Sequence, residues 1–319
     1  MSGMSQSTQQ ITGRFAPSPS GRMHLGNAFS SLVAWASVRS RGGKMVLRIE
    51  DLDPRTKDPE RARQIVDDLA WLGLDWDEGP LRQSDRDDVY LEALSRLEDL
   101  GVTYPCFCTR SELHAASAPH ASDGTYIYQG TCRNLTDEEV AEKSKARPAA
   151  TRLRVPGPDE ELGTVDFVDL GWGPRHEVLA RDCGDFLVRR SDGVIAYQLA
   201  VVVDDCLMGI NQVVRGRDLL SSSGRQIYIA RLLGFEPPTY GHIPLLVASD
   251  GRRLAKRDRD CDLGALREAG MTPEQVIGRL AEPLGLAEHG EELGADEFAS
   301  RFSWDAIRRH REDIVVTQA

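Results

Sequence analysis

The 319-residue chain has no apolar run approaching the roughly 20 residues needed to cross a bilayer, which excludes a helical membrane span. Its first residues, MSGMSQSTQQITG, have neither a basic start nor an apolar core, so they do not read as a signal peptide. They read instead as the frayed end of a cytoplasmic protein. Six cysteines are too few to staple a chain of this length, and a reducing interior would keep them as thiols. There is no excess of positive charge: the formal net charge is −11, which taken alone argues against a nucleic-acid partner. Nor is there an internal repeat or a long low-complexity stretch, which leaves ordinary globular domains.

What is present fits that class. Hydrophobic residues make up 40% and charged residues 28%, values of a folded domain with a substantial core. The charge is unevenly spread. Met1 to Arg55 holds seven Lys or Arg against three acids, whereas Ala281 to Ala299 carries six acids and no Lys or Arg. A locally basic surface for phosphates is therefore compatible with the acidic total.

The first half alternates strand and helix signals, as in an α/β sheet of parallel strands. A short strand at 13–16 leads into the loop PSPSG, and a helix follows over about 25–40, closed by Gly42 and Gly43. The strand KMVLRIE comes next, then a helix from Pro59 with Asp58 as N-cap, and another over about 86–100. From Cys106 to Asp182 turn residues dominate, which suggests an insertion with its own small fold. DFLVRRSDGVIAYQLAVVVDD reads as two strands around Ser191-Asp192-Gly193. A helix is expected over about 218–233, then the apolar run HIPLLVASDG, then a mostly polar helical tail. The expected organisation is a disordered end (1–12), an α/β half (13–104), an insertion (105–184), a second α/β half (185–261) and a helical tail (262–319).

Chemistry concentrates first in RFAPSPSG followed by His24-Leu25-Gly26-Asn27. A strand, a Gly/Pro loop and a helix start make an anion site, because backbone N–H groups and the helix dipole face the ligand. His24 and Asn27 can donate to phosphate oxygens, and Gly26 leaves room for a flat base. A lone HxGN tetrapeptide is more often an ordinary helix cap; joined to RFAPSPSG it is not. A second cationic segment, Arg253-Leu254-Ala255-Lys256-Arg257, lies far downstream. Cys106, Cys108 and Cys132 cluster as thiolate metal ligands do, with His114 and His120 as conventional fourth ligands. Asp204 and Asp205 could order water, ribose or Mg2+, or could simply end a strand; no catalytic role is assigned to them.

RFAPSPSG with HxGN resembles the signature of class I aminoacyl-tRNA synthetases of the glutamyl and glutaminyl branch, and RLAKR resembles the KMSKS loop that such enzymes carry downstream. Arg253 stands where a lysine is usual and Ala255 where a serine is usual. The resemblance implies a Rossmann-like catalytic domain split by a small zinc-bearing insertion and followed by a short helical stem-contact tail. It implies catalytic roles for His24, Asn27 and Lys256, and ATP binding by Pro17, His24, Gly26, Asn27, Arg253 and Lys256. It implies glutamate binding by Arg14, Ala16, Ser18, Glu50, Tyr197 and Arg215. Tyr128 becomes the fourth ligand of one structural Zn2+, beside Cys106, Cys108 and Cys132, and Mg2+ accompanies ATP.

Only about 60 residues follow Lys256, too few for an anticodon-binding region. That truncation resembles the glutamyl-Q tRNA(Asp) synthetase family, which activates glutamate without tRNA and places it on queuosine in the anticodon of tRNA(Asp). The implied partners are L-glutamate, ATP and queuosine-containing tRNA(Asp), and nothing demands more than a monomer. The rival expectations are a compact glutamyl-tRNA synthetase charging tRNA(Glu), another nucleotidyltransferase on the same fold, and a non-catalytic RNA-binding paralogue.

Overall fold

The computed structural model describes residues 10–109, 112, 127–248, 250–252 and 262–316. Three parallel strands, β1 (Thr12–Phe15), β2 (Lys44–Ile49) and β3 (Glu78–Arg82), form one sheet in that order. Helix α1 (Leu25–Arg39) follows β1, α2 (Pro59–Trp71) follows β2 and α3 (Asp87–Asp99) follows β3. The α2 start has the expected form, with the Asp58 carboxylate accepting the Glu60 N–H and Pro59 in the first turn. A second parallel pair, β9 (Gln212–Gly216) with β10 (Thr239–Ile243), lies beside β1. Asn211 joins the two, its N–H bonding Thr12 O at 3.0 Å and its Oδ1 accepting the Thr12 N–H at 2.9 Å.

The segment between these halves is built differently. Strands β4 (Thr103–Cys106), β5 (Ala150–Leu153) and β8 (Phe186–Arg189) make an antiparallel sheet, and β6 (Thr164–Asp169) with β7 (Gly173–Val178) makes a hairpin. Helix α4 (Asp137–Ala146) buries none of its residues. Among the described residues no helix is long and apolar enough to cross a membrane.

Two expectations are corrected. The run after Gly193 is not a second strand but leads, through a bridge between Arg189 and Ile195, into helix α5 (Tyr197–Leu207). Its apolar residues Leu199 to Val203 are all buried, so packing overrides the strand preference of three consecutive valines. The tail is also not mostly polar. Helices α7 (Leu263–Glu268), α8 (Pro273–Ala281), α9 (Ala295–Arg301) and α10 (Trp304–Arg308) send Leu263, Val276, Ile277, Leu280, Phe298, Trp304 and Ile307 into the same core as α1. Trp304 Nε1 donates to Ser37 Oγ at 3.1 Å, and a side chain at Gly241 would strike the Trp304 ring at 2.3 Å. The end of the chain pairs β12 (Ile314–Val315) with β11 (Leu246–Val247) in parallel. Helix α6 (Ser223–Leu232) completes the second half after a 3-10 turn over Arg217–Ser222, later in starting than the expected helix.

One buried acid carries a pH signature. Glu177 on β7 occupies the space beside Gly224, and burial, opposed by Arg175, lifts its carboxyl to about 7. An acid held above its unfolded value stabilises the fold fully below pH 4.5 and loses that contribution as pH rises through about 7. Glu177→Gln removes the titration. The variant is expected to gain up to about 3 kcal/mol over the parent at pH 8 and almost nothing at pH 4.5. Urea unfolding at both pH values checks this, and parallel curves would refute it.

Candidate active site and candidate metal centre

The C-terminal ends of β1, β2 and β9 open onto a cleft of about 760 Å3, where ligands of open α/β sheets usually sit. Its lining includes Arg14, Ala16, Pro17, Ser18, His24, Gly26, Asn27, Glu50, Tyr197 and Arg215, so every described residue expected to hold ATP or glutamate faces one cavity. Arg253, Ala255 and Lys256 lie outside the described residues, as do His114 and His120. The flanks of the second signature do meet the cavity: Leu246 lines it, and Leu263 N–H bonds Met23 O at 3.0 Å beside a bridge between Asp262 and His24.

His24 is the N-cap of α1. Its Nδ1 accepts the N–H of Gly26 at 3.1 Å and of Asn27 at 3.3 Å, while Asn27 Oδ1 accepts the His24 N–H at 3.2 Å. This corrects the anion-site expectation. The N–H groups of Gly26 and Asn27 are taken by the cap, and the ring's proton is thereby placed on Nε2. Gly26 also has a different neighbour from the one expected, since a side chain there would meet the His24 ring at 3.0 Å.

Beneath the cleft lies an ion network that the sequence did not announce. Arg48, on β2, is fully buried. It donates to Asp205 Oδ1 at 2.7 Å and to Glu50 Oε1 at 3.1 Å, and its Nε lies 3.6 Å from Asp204 Oδ2. Arg14 Nε sits 3.6 Å from Asp205 Oδ1. Asp204 also accepts from Gln83 at 2.7 Å, Arg86 at 2.8 Å and Tyr90 at 2.9 Å. The Asp204–Asp205 pair therefore sits on a helix as buried counter-charge, and neither ends a strand. Burial raises the Glu50 carboxyl above the ordinary range against the pull of Arg48 and Arg14.

Arg215 on β9 is equally enclosed, but its partners are neutral. Its Nε–H meets His242 Nε2 at 3.0 Å, Nη1 meets Gln226 Oε1 at 2.8 Å, and Nη2 meets Leu219 O at 3.2 Å and Ser223 Oγ at 3.1 Å. Tyr240 lies with its ring centre 5.0 Å away. Among the described residues no carboxylate is within ion-pair distance of this guanidinium. A buried cation without an anion is a receptor for one. Of its five N–H donors four are engaged, so an incoming carboxylate meets one open donor on Nη1 and a two-pronged grip requires a neutral acceptor to yield.

In the insertion, the Cys106, Cys108 and Cys132 sulfurs lie within 4.8 Å of one another. The Cys108–Cys132 separation is 3.6 Å, and Tyr128 Oη is 3.6 Å from both Cys106 and Cys108. The edge of a tetrahedron with metal–sulfur bonds of about 2.3 Å is about 3.8 Å, so the donor set fits a tetrahedral ion. Arg152, unmentioned by any motif, donates to Cys106 Sγ at 3.2 Å and stacks 3.8 Å over the Tyr128 ring. Its charge offsets an anionic donor set.

Residues 10–312 match the family of class I tRNA synthetases (E and Q), catalytic domain. The chain is 48% identical over 317 residues to a glutamyl-Q tRNA(Asp) synthetase of Symbiobacterium thermophilum, covering 96% of each. It is 50% identical over 286 residues to the enzyme of that name from Nitratidesulfovibrio vulgaris, covering 86% of this chain and 87% of the relative. A glutamate tRNA ligase from Elizabethkingia meningosepticum, solved with its amino acid, shares the fold at a TM-score of 0.79 and 24% identity. That alignment covers 97% of this chain and 68% of the ligase.

Proposed function

Because the chain belongs to the glutamyl-Q tRNA(Asp) synthetases of the class I glutamyl and glutaminyl family, we propose that it activates glutamate with ATP and transfers it to queuosine in tRNA(Asp). The observation that carries this reading is the meeting, in one cleft, of a capped HxGN helix start, a carboxyl at Glu50 and a buried guanidinium that has no carboxylate partner among the described residues. Glutamate's α-carboxylate attacks the α-phosphate of ATP and expels pyrophosphate. A hydroxyl of the queuosine cyclopentenediol then attacks the adenylate carbonyl and releases AMP.

Each residue has a definable part. His24, through Nε2–H, and Asn27 stabilise the phosphates as charge accumulates, with Lys256 and Arg253 supplying cations from the second signature and Mg2+ accompanying ATP. Pro17 and Gly26 shape the nucleotide wall. Glu50 takes the α-ammonium, whose positive charge favours the ionised carboxylate that burial disfavours. Arg215 takes the side-chain carboxylate, with Arg14, Ala16, Ser18 and Tyr197 around it. Orientation and charge stabilisation supply the acceleration, and no side chain acts as nucleophile.

The test offers ATP and labelled glutamate with queuosine-containing tRNA(Asp), tRNA(Asp) made without queuosine, and tRNA(Glu). Label on the first alone is expected. Label on tRNA(Glu) would make the chain a compact glutamyl-tRNA synthetase and overturn the proposal.

The same reading assigns one Zn2+ to Cys106, Cys108 and Cys132 with Tyr128 as the fourth ligand. Purified protein is expected to hold close to one zinc per chain, and Cys132→Ser to lose most of it. Because binding to the native state alone stabilises it, metal loss should lower the melting temperature by about 5 °C or more. Elemental analysis paired with a thermal scan decides; full zinc in the variant would remove Cys132 from the site.

A further inference from the structure

We propose that Asp169 and His242 form a two-link support that fixes the orientation of Arg215, making both of them positioning residues for glutamate selection. The inference rests on the reading of Arg215 as the residue that binds the substrate's side-chain carboxylate. Neither Asp169 nor His242 lines the cleft, and both are buried. They come from elements far apart in sequence: Asp169 ends β6 in the insertion, and His242 lies within β10 of the nucleotide-binding half.

The proton positions along this chain follow from chemistry. An arginine stays protonated, so its Nε is always a donor. His242 Nε2, at 3.0 Å from it, must then present a lone pair. The ring's only proton therefore lies on Nδ1, where it donates to Asp169 Oδ2 at 2.6 Å. Burial pushes the His242 ring down to about 4, which keeps it in this neutral form through the physiological range. Asp169 is itself held rigidly. Its Oδ1 accepts three backbone N–H groups, from Gly171 at 2.9 Å, Trp172 at 2.8 Å and His242 at 3.1 Å. The hairpin turn sits directly on β10, since a side chain at Gly171 would lie 2.1 Å from His242 O. Tyr240 stacks on His242 with ring centres 6.2 Å apart and faces the Arg215 guanidinium. Carboxylate, imidazole and guanidinium thus form one directed line, which holds the Nε side of Arg215 and leaves the open Nη1 donor for the substrate.

The line predicts an unusual sensitivity to one atom. In Asp169→Asn the three backbone donors claim the amide oxygen, so the NH2 group faces His242 Nδ1 and donates to it. The ring proton must move to Nε2, where it opposes the Arg215 Nε–H. Two donors then meet in a buried space, and Arg215 turns away.

The experiment measures glutamate-dependent ATP–pyrophosphate exchange for Asp169→Asn, His242→Gln, His242→Leu, the Asp169→Asn/His242→Gln pair and Arg215→Met. Asp169→Asn is expected to raise KM for glutamate at least tenfold, narrow the preference for glutamate over glutamine, and leave KM for ATP and kcat within about twofold. In His242→Gln the carboxamide can turn its oxygen toward Arg215 and its NH2 toward Asp169, so KM stays near the parent, whereas adding Asp169→Asn sets two NH2 groups against each other and should raise KM as Asp169→Asn does alone. His242→Leu offers no acceptor and should match Asp169→Asn, which keeps the idea testable if the asparagine variant fails to fold. An unchanged glutamate KM in Asp169→Asn or His242→Leu, while Arg215→Met raises it, would overturn the support and leave the reading of Arg215 standing. An unchanged glutamate KM in Arg215→Met would instead overturn that reading and the support with it.

Discussion

Arg48→Met is expected to leave the protein largely unfolded at 37 °C. The arginine is the common counter-ion of Asp205, Glu50 and Asp204, with no exposure to water. Methionine fills much of the same volume, so packing is nearly conserved and the change isolates the charge. Removing one partner of a buried pair leaves an uncompensated ion, at a cost of about 3–5 kcal/mol. Here three acids share that partner. Asp204 keeps its bonds from Gln83, Arg86 and Tyr90, and Asp205 keeps, among the described residues, only the more distant Arg14. Total stabilities are about 5–15 kcal/mol, so the loss is a large fraction of what holds the domain together. Urea unfolding at pH 7.5 measures it. A second substitution, Asp205→Asn, should restore part of the loss by removing one orphaned charge. A loss below about 1 kcal/mol for Arg48→Met would show that the network is not an electrostatic keystone.

Arg215→Met is expected to keep the fold while reducing kcat/KM for glutamate a hundred- to a thousand-fold in pyrophosphate exchange. The guanidinium rests on neutral acceptors and an aromatic face, so its removal strands no native carboxylate. Its charge matters most when the substrate arrives. Truncating one partner of a buried charge pair costs about 2–5 kcal/mol, and each 1.4 kcal/mol is a factor of ten. KM for ATP should move little. A fall of less than threefold with glutamate would place its recognition elsewhere, with Arg14 as the remaining buried cation among the described residues of the cleft.

Comparison of these two arginines shows what sequence reading could reach. Arg215 was legible because it stands in a string that resembles a known family. Arg48 was not, because KMVLRIE reads only as a strand and the acids it serves, Asp204 and Asp205, follow more than 150 positions later. The first strand and the starts of α1 and α2 are legible where glycine and proline punctuate the chain, at PSPSG and at Asp58-Pro59. Helix α5 was misread because its valines favour strands locally, while its amphipathic context exists only after folding. Asp169 and His242 carried no signal of any kind. Their contact spans 73 positions and joins the insertion to the main sheet. Distance along the chain, rather than weak chemistry, hid them.

The last strand has a bearing on how the protein comes into being. Trp304 closes over Ser37, Asp313 grips Arg217 and the N–H of Leu245, and Ile314 and Val315 lie along the strand that feeds the second signature. A ribosome delivers those residues after the nucleotide-binding half that they complete. The nucleotide-binding half therefore waits, with its tryptophan seat and one strand edge open, until synthesis has run through residue 315. A nascent chain released near residue 300 would not be a slower enzyme. It would be an unfinished surface, apolar and unpaired, and material for proteolysis before it could ever bind a nucleotide.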